Sequence, residues 1–112
     1  MIPNLKSKIL INAAIKFCFS QNIISTVINK GDENNGVIWL KLLRKDNKSR
    51  LLSKYLDVND KYAWKDVFNE NNEWQDEKVV INRISKEISY DPDLWVLEIE
   101  TETYINPFES IL

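Results

Sequence analysis

The stretch 90–100 is where one hydrophobic period in the sequence ends and another begins. Upstream, apolar residues recur at three- and four-residue spacing, which predicts an amphipathic helix over residues 76–89. Pro92 has no amide hydrogen and disfavours helix at the preceding residue, so this helix is expected to end by about Tyr90. Alternating apolar residues then predict a strand over 94–101 with three core residues: Trp95, Leu97 and Ile99. The sequence therefore predicts a helix–turn–strand unit.

Before this unit, apolar runs alternate with turn-forming clusters. A run ending at about Ser20 has helical spacing, and β-rich runs over 23–30, 37–44, 50–57 and 62–68 are separated by short polar clusters. Consecutive strands with short connections are expected to pair antiparallel. We predict an α+β fold: an N-terminal helix, an antiparallel meander of about four strands, a polar loop over 69–74, a second helix and a final strand. Both helices are expected on one face of the sheet.

Length and aromatic content indicate one domain. The chain has 112 residues and carries four Trp, four Tyr and four Phe, which are large enough side chains to fill a single core. Residues 101–112 are too few for a further element but include several apolar side chains. We therefore predict a single α+β domain over 1–112, in which 101–112 forms a packed or extended C-terminal arm.

The polar cluster 31–36 predicts a loop between the first two strands. Gly31 and Gly36 stand at its two ends, where glycine can adopt the positive φ values that tight turns require. The acidic and amide groups between them lack the ligand spacing and the late glutamate of a calcium-binding EF-hand. We expect a turn at this position and no calcium site.

The run Asp91-Pro92-Asp93-Leu94-Trp95 resembles the C-terminal signature of a small bacterial family known only as a domain of unknown function. The likeness extends to further positions spread over most of residues 5–100: Leu5-Lys6-Ser7, Ala13, Gly31-Asp32, Gly36, the run 37–42 and Ile81-Asn82-Arg83. No activity is attached to this family. The resemblance therefore supports the fold and leaves the function open.

The residue types present exclude several kinds of chemistry. The chain has no histidine and one cysteine, Cys18, which excludes His-based triads, His-ligated zinc and thiolate metal cages. Asp91 and Asp93, with Glu98 and Glu100 nearby, form the carboxylate cluster that could bind Mg²⁺ or act as an acid–base pair. We predict no catalytic residue, no cofactor and no metal ligand. A carboxylate-dependent enzyme at Asp91 and Asp93 is a distant alternative.

Arg83 lies about two helical turns before the proline, from where a guanidinium can reach back to a carboxylate in a charge-assisted hydrogen bond. Aspartates that flank a proline at a helix end are also ordinary turn residues. We therefore predict a structural clamp that pins the turn and that consists of Arg83, Asp91, Asp93 and Trp95.

Residues 41–54 hold six basic side chains against one acidic residue, Asp46. A basic hairpin beside aromatic residues is the kind of surface that binds single-stranded nucleic acid, because cations contact phosphates and rings stack on bases. The net charge of −2 is unlike that of most nucleic-acid-binding domains. We predict a contact surface at this hairpin, formed by Trp39, Lys41, Arg44, Lys54 and Tyr55.

The charge layout and the apolar first helix favour binding over catalysis. Residues 1–30 carry lysines without acids, whereas residues 87–112 carry acids without bases. These segments either pair within the chain or face partners. We predict a small non-enzymatic interaction or accessory protein with a protein partner or a second copy, and weak nucleic-acid binding through 41–54 is the alternative. Short apolar runs, one cysteine and no signal-peptide pattern predict a cytoplasmic protein without membrane insertion.

Overall fold

The computed structural model describes residues 6–68 and 73–111. Its helices and strands follow one another in this order: α1 (Ser7–Ser20), β1 (Ser25–Asn29), β2 (Ile38–Leu43), β3 (Lys48–Leu56), β4 (Tyr62–Asp66), β5 (Gln75–Asp76), α2 (Glu77–Tyr90), β6 (Trp95–Glu100) and α3 (Pro107–Ile111). The predicted polar loop over 69–74 falls largely on residues 69–72, which lie outside the described residues.

The α+β class is confirmed. The strands form one sheet in the order β1-β6-β2-β3-β4, and β5 pairs with β3. β2, β3 and β4 pair antiparallel in chain order, as a meander requires. The meander does not include β1, because β6 lies between β1 and β2. The connection 30–37 has to cross the width of that inserted strand, about 10 Å.

β6 lies in the interior of the sheet, between β1 and β2, because its side chains are apolar in both directions. Trp95, Val96, Leu97 and Ile99 are all buried, although they point alternately to opposite faces. β6 runs antiparallel to β1 and parallel to β2, so its backbone is paired along both sides. A parallel neighbour needs a long connection, and the segment that contains α2 is part of it.

The helices cover both faces of the sheet, so the prediction of one covered face is wrong. α1 and α3 pack on the face that includes Leu40, Leu97 and Ile99, which we call the α1 face. α2 packs on the other face, the α2 face, which includes Trp39 and Val96. The reason lies in the apolar run 94–97, because a strand with such residues on both sides needs a cover on each.

α2 begins and ends where the sequence predicts. The carboxylate of Asp76 accepts a hydrogen bond from the backbone of Lys78 and so caps the first turn. At the other end, the backbone N–H of Asp91 donates to the carbonyl of Glu87 at 2.8 Å, and that of Leu94 donates to the carbonyl of Asp91. Pro92 stops the helix at this point and turns the chain into β6.

The C-terminal segment forms a short helix, contrary to the expectation that it is too short for another element. Asn106 caps α3 by accepting a hydrogen bond from the backbone of Phe108 at 3.0 Å. Phe108 is fully buried on the α1 face and stacks on Trp64 with ring centroids 5.0 Å apart. These contacts attach the segment to α1 and the sheet.

Candidate functional site

β1 is an edge strand in a segment of the chain that carries no charged side chain. Residues 17–29, which run from the second half of α1 through β1, contain no acidic or basic side chain. Phe19 is 84% exposed, Ile24 is 60% exposed and Val27 is 38% exposed. We call this surface the β1 edge. Exposed apolar side chains along the outer edge of an edge strand are typical of a protein-contact surface.

A groove adjoins the β1 edge between the end of α1 and the start of β1. Its volume is about 460 Å³, and it is lined by Ile15, Phe19, Asn22, Ile23, Ile24 and Ser25. The lining is mainly apolar, and its polar members carry no formal charge. Such a groove can receive an apolar side chain from a strand that pairs with β1.

The opposite edge of the sheet is protected by charge. β4 includes the exposed Lys65 and is preceded by the exposed Lys61, so an approaching strand would meet charged groups along this edge. Natural sheets use charged side chains to prevent pairing with other chains. The β4 edge carries such charges and β1 does not.

The 31–36 loop and the 91–95 turn interlock at the end of the sheet where β6 begins. The indole N–H of Trp95 donates to the carbonyl of Asp32 at 2.7 Å, and the backbone N–H of Asp32 donates to the carbonyl of Asp93 at 3.0 Å. Asn29, the last residue of β1, donates its side-chain amide to the carbonyl of Leu94 at 2.7 Å. These bonds fix the loop, the turn and the end of β1 to one another.

Gly31 and Gly36 are required by close approach and not by positive φ. Neither glycine has a positive φ, so the predicted reason for their presence is wrong. A Cβ at Gly31 would lie 2.8 Å from the carbonyl carbon of Leu94 and closer still to the carbonyl oxygen of Asp93. A Cβ at Gly36 would lie 2.5 Å from that same oxygen and 2.7 Å from Cδ1 of Trp95. The backbone of the turn fills the space that a side chain would need.

The start of α1 is attached to the same loop. Ser7 donates its hydroxyl to the carbonyl of Gly36 at 2.6 Å, and the backbone N–H of Lys8 donates to the carbonyl of Glu33 at 3.0 Å. The ammonium of Lys8 also pairs with the Glu33 carboxylate at 3.0 Å, which lowers the pKa of that carboxyl from its ordinary value. The polar groups of this junction thus bind one another, and their arrangement is structural.

Several of the positions on which the family resemblance depends, in the start of α1, the 31–36 loop and the 91–95 turn, are therefore brought together in space, and the comparison with known families agrees. The sequence model of the family described as "Protein of unknown function (DUF1491)" matches residues 5–109. The chain belongs to this family. The resemblance seen in the sequence is confirmed.

Solved structures of other proteins share the fold, and one of them is a DUF1491 family protein. The chain is similar to the crystal structure of a DUF1491 family protein from Caulobacter crescentus, with 25% identity and a TM-score of 0.78 over 93% of this chain and 94% of that one. It is also similar to the solution structure of protein Atu0922 from A. tumefaciens, with 22% identity and a TM-score of 0.72 over 90% of this chain and 89% of that one. No curated protein matches the chain.

In the structure of this DUF1491 chain, Arg83 of the predicted clamp binds a residue of its own helix, and Asp91 and Asp93 bind each other within the turn. The guanidinium of Arg83 pairs with the Glu87 carboxylate at 2.8 Å and lies 5.1 Å from the ring centre of Trp39. Asp91 accepts a hydrogen bond from the backbone of Asp93 within the turn itself. Arg83 is thus directed along α2 in this structure, and its coupling to the aspartates stays a prediction. Among residues 6–68 and 73–111, no group of three His, Cys, Asp or Glu could hold a metal ion.

The predicted contact surface is divided between the two faces of the DUF1491 sheet. Trp39 and Lys41 are buried under α2. Arg44 pairs with Asp46 at 2.6 Å, which raises the pKa of the arginine and lowers that of the aspartate. On the α1 face, the ammonium of Lys54 lies 4.2 Å from the ring centre of Tyr62, and burial lowers its pKa.

Tyr55 completes this set and is 39% exposed, with the ammonium of Lys65 5.2 Å from its ring centre. The hairpin therefore does not present its cations and rings on one surface, as the nucleic-acid alternative would need. In the part of the chain that the structure describes, no helix is long and apolar enough to cross a membrane.

A buried lysine was not foreseen from the sequence. Lys41 is only 3% exposed, and its ammonium lies 2.7 Å from the Glu77 carboxylate and 2.6 Å from that of Glu98. Glu98 is the residue paired with Lys41 in the parallel β2–β6 register, and Glu77 is the first residue of α2. The three charges therefore attach α2 to the centre of the sheet. The sequence contained one indication of this burial, because Lys41 lies on the same side of β2 as the large aromatic side chain of Trp39.

Proposed function

We propose that this DUF1491 protein is a non-enzymatic interaction module that binds an uncharged, extended strand of a partner along the β1 edge. The observation that carries the proposal is the uncharged segment 17–29. It leaves Phe19, Ile24 and Val27 exposed beside the outer edge of β1. Strand addition of this kind obtains affinity from backbone hydrogen bonds and specificity from pockets for alternate side chains. The groove beside β1 supplies such a pocket.

The backbone of β1 is oriented for strand addition. The carbonyl of Ile24 accepts a hydrogen bond from the backbone N–H of Glu100 at 3.0 Å, so Ile24 directs its polar backbone groups toward β6. In an antiparallel pair these directions alternate along the strand. Ser25 and Val27 therefore direct their N–H and C=O groups outward, where a partner strand can bind them.

The lack of charge specifies the chemistry of the partner. A charge placed opposite Ser25 or Val27 would lie beside uncharged side chains without a counter-ion, which is unfavourable. An uncharged strand with apolar side chains can instead bury Phe19 and Ile24. We also place this activity in the cytoplasm, where a buried and unpaired Cys18 is in keeping with a reducing environment.

The test is site-specific photo-crosslinking in cells that produce the protein. A photoreactive side chain is introduced at Thr26 on the β1 edge or, as the matched control, at Lys65 on the β4 edge, since both residues are exposed and lie in edge strands. We expect a discrete cross-linked species from Thr26 and none from Lys65.

A second variant shows whether the contact uses the strand edge. Val27→Lys places a charge on β1, whereas Val79→Lys places the same charge on the exposed surface of α2. We expect the Thr26 cross-link to disappear in Val27→Lys and to persist in Val79→Lys. Equal cross-linking at both edges, or a Thr26 cross-link that survives Val27→Lys, would contradict the proposed function.

A further inference from the structure

We infer that the strand bound at the β1 edge is β1 of a second copy, paired antiparallel about a two-fold axis at Thr26. The inference rests on the proposed function and names its partner. A two-fold interface brings the same surface of both copies together, so the surface has to be complementary to itself. The uncharged segment 17–29 meets this condition because it brings no like charges into contact. Such pairing would join two six-stranded sheets into one.

The backbone selects the register centred on Thr26. In this register Ser25 of one copy lies opposite Val27 of the other, so all the outward backbone groups of the regular part of β1 are paired. A register centred on Val27 would place Ser25 opposite Asn29, beyond the shift in register between Val27 and Asn29. A register centred on Ser25 would place Val27 opposite Ile23, which precedes β1.

The side chains fit the same register. Ser25 is small and lines the groove beside β1, and Val27 of the second copy lies directly opposite it. Each valine therefore faces the groove of the other copy.

The charges at the two ends of β1 favour antiparallel over parallel pairing. Lys30 follows β1, and antiparallel pairing brings it toward the opposite end of the second copy's β1, which Asn22 precedes. Asn22 lines a cleft of about 430 Å³ whose charged members are Glu100, Glu102, Lys45 and Arg44, the last of which is already paired with Asp46. Antiparallel pairing therefore brings a lysine to the end of the sheet that carries two carboxylates. Parallel pairing would place Lys30 beside Lys30.

The test combines mass and backbone protection in the purified full chain. Sedimentation equilibrium is measured over a wide concentration range for the unchanged protein, Val27→Lys and the matched control Val79→Lys. Backbone amide hydrogen exchange is measured by NMR at the lowest and the highest concentration. We expect a monomer–dimer equilibrium that Val27→Lys weakens at least about tenfold and that Val79→Lys leaves unchanged.

Hydrogen exchange identifies the interface. The outward amides of Ser25 and Val27 should become protected as the dimer forms, because they acquire hydrogen-bond acceptors only in the paired state. The inward amide of Thr26 should already be protected in the monomer. A dimer without new protection at Ser25 and Val27, or one that tolerates Val27→Lys, would overturn the inference. A chain that stays monomeric at all concentrations would do the same.

The photo-crosslinking at Thr26 separates the two proposals. A cross-linked species with twice the mass of the chain supports the second copy. A species that contains a different protein keeps the proposed function and overturns this inference, and the absence of any species at Thr26 overturns both.

Discussion

The contacts between the 31–36 loop and the 91–95 turn allow a prediction about stability. The direction of the change in the free energy of unfolding shows which of two physical effects is larger. Replacing a glycine that lacks positive φ by alanine normally stabilises a protein by about 0.4–1 kcal/mol, because the unfolded chain loses conformational freedom. Gly36 has such a backbone. Its missing Cβ, however, would lie 2.5 Å from the carbonyl oxygen of Asp93 and 2.9 Å from that of Asp32. We expect the contacts to prevail, so that Gly36→Ala destabilises the fold.

The magnitude follows from the bonds that have to lengthen. Carbon–oxygen contacts are normally at least about 3.3 Å, so the turn has to move away from the loop by about 0.8 Å. This displacement acts on the bond from the Asp32 amide to Asp93 and on the bond from the Trp95 indole to Asp32. Loss of a hydrogen bond that leaves a buried group unpaired removes about 1–3 kcal/mol. We therefore expect Gly36→Ala to lower the free energy of unfolding by about 2–4 kcal/mol, and Gly31→Ala by at least as much.

Urea unfolding followed by Trp fluorescence measures this change. The control is Asn34→Ala, an exposed change in the same loop that should alter stability by less than about 0.5 kcal/mol. An unchanged slope of free energy against urea would show that the variants differ in stability and not in the compactness of either state. A Gly36→Ala variant as stable as the unchanged protein, or more stable, would refute the reasoning.

Three further predictions concern individual side chains. Lys41→Met should lower the free energy of unfolding by about 3–5 kcal/mol, because it leaves two partly buried carboxylates without their cation, whereas the same change at an exposed lysine should have little effect in thermal unfolding. Cys18 is fully buried and burial raises the pKa of its thiol, so a thiol reagent should label it at the rate of unfolding; rapid labelling of the folded protein would contradict this. Arg83→Ala should couple with Glu87→Ala by about 0.3–0.5 kcal/mol in a double-mutant cycle, and a larger coupling with Asp93→Ala would instead support the clamp predicted from the sequence.

The fold class and most of the elements were predictable because they depend on local period, whereas β5 and α3 were not expected. The helix that ends at Tyr90 and the strand that begins at Trp95 follow from the change in period around Pro92. The position of β6 between β1 and β2 was not predictable in the same way, because pairing between distant strands is not encoded in period. The continuous apolar run 94–97 was the available sign that this strand is covered on both faces.

The residues with the most specific roles were predicted less well than the elements that hold them. Lys41 was assigned to a contact surface because it belongs to the basic stretch 41–54, yet Glu77 and Glu98 come from distant parts of the chain to neutralise it. Gly31 was attributed to backbone conformation, whereas its role depends on the approach of Leu94 from the other end of the sequence. In each case the missing information is a contact between segments far apart in the chain.

The interlocked junction and the β1 edge are physically connected through Asn29. This residue ends β1, and its side-chain amide donates to the carbonyls of Leu94 and Pro92 at 2.7 and 3.4 Å. The shift in register between Val27 and Asn29 lies directly before this attachment, so the turn fixes where the regular part of β1 stops. Because this end of β1 is fixed, the residues whose backbone N–H and C=O groups face outward are fixed as well. The junction that keeps the fold together therefore also determines which residues of the edge are available for pairing.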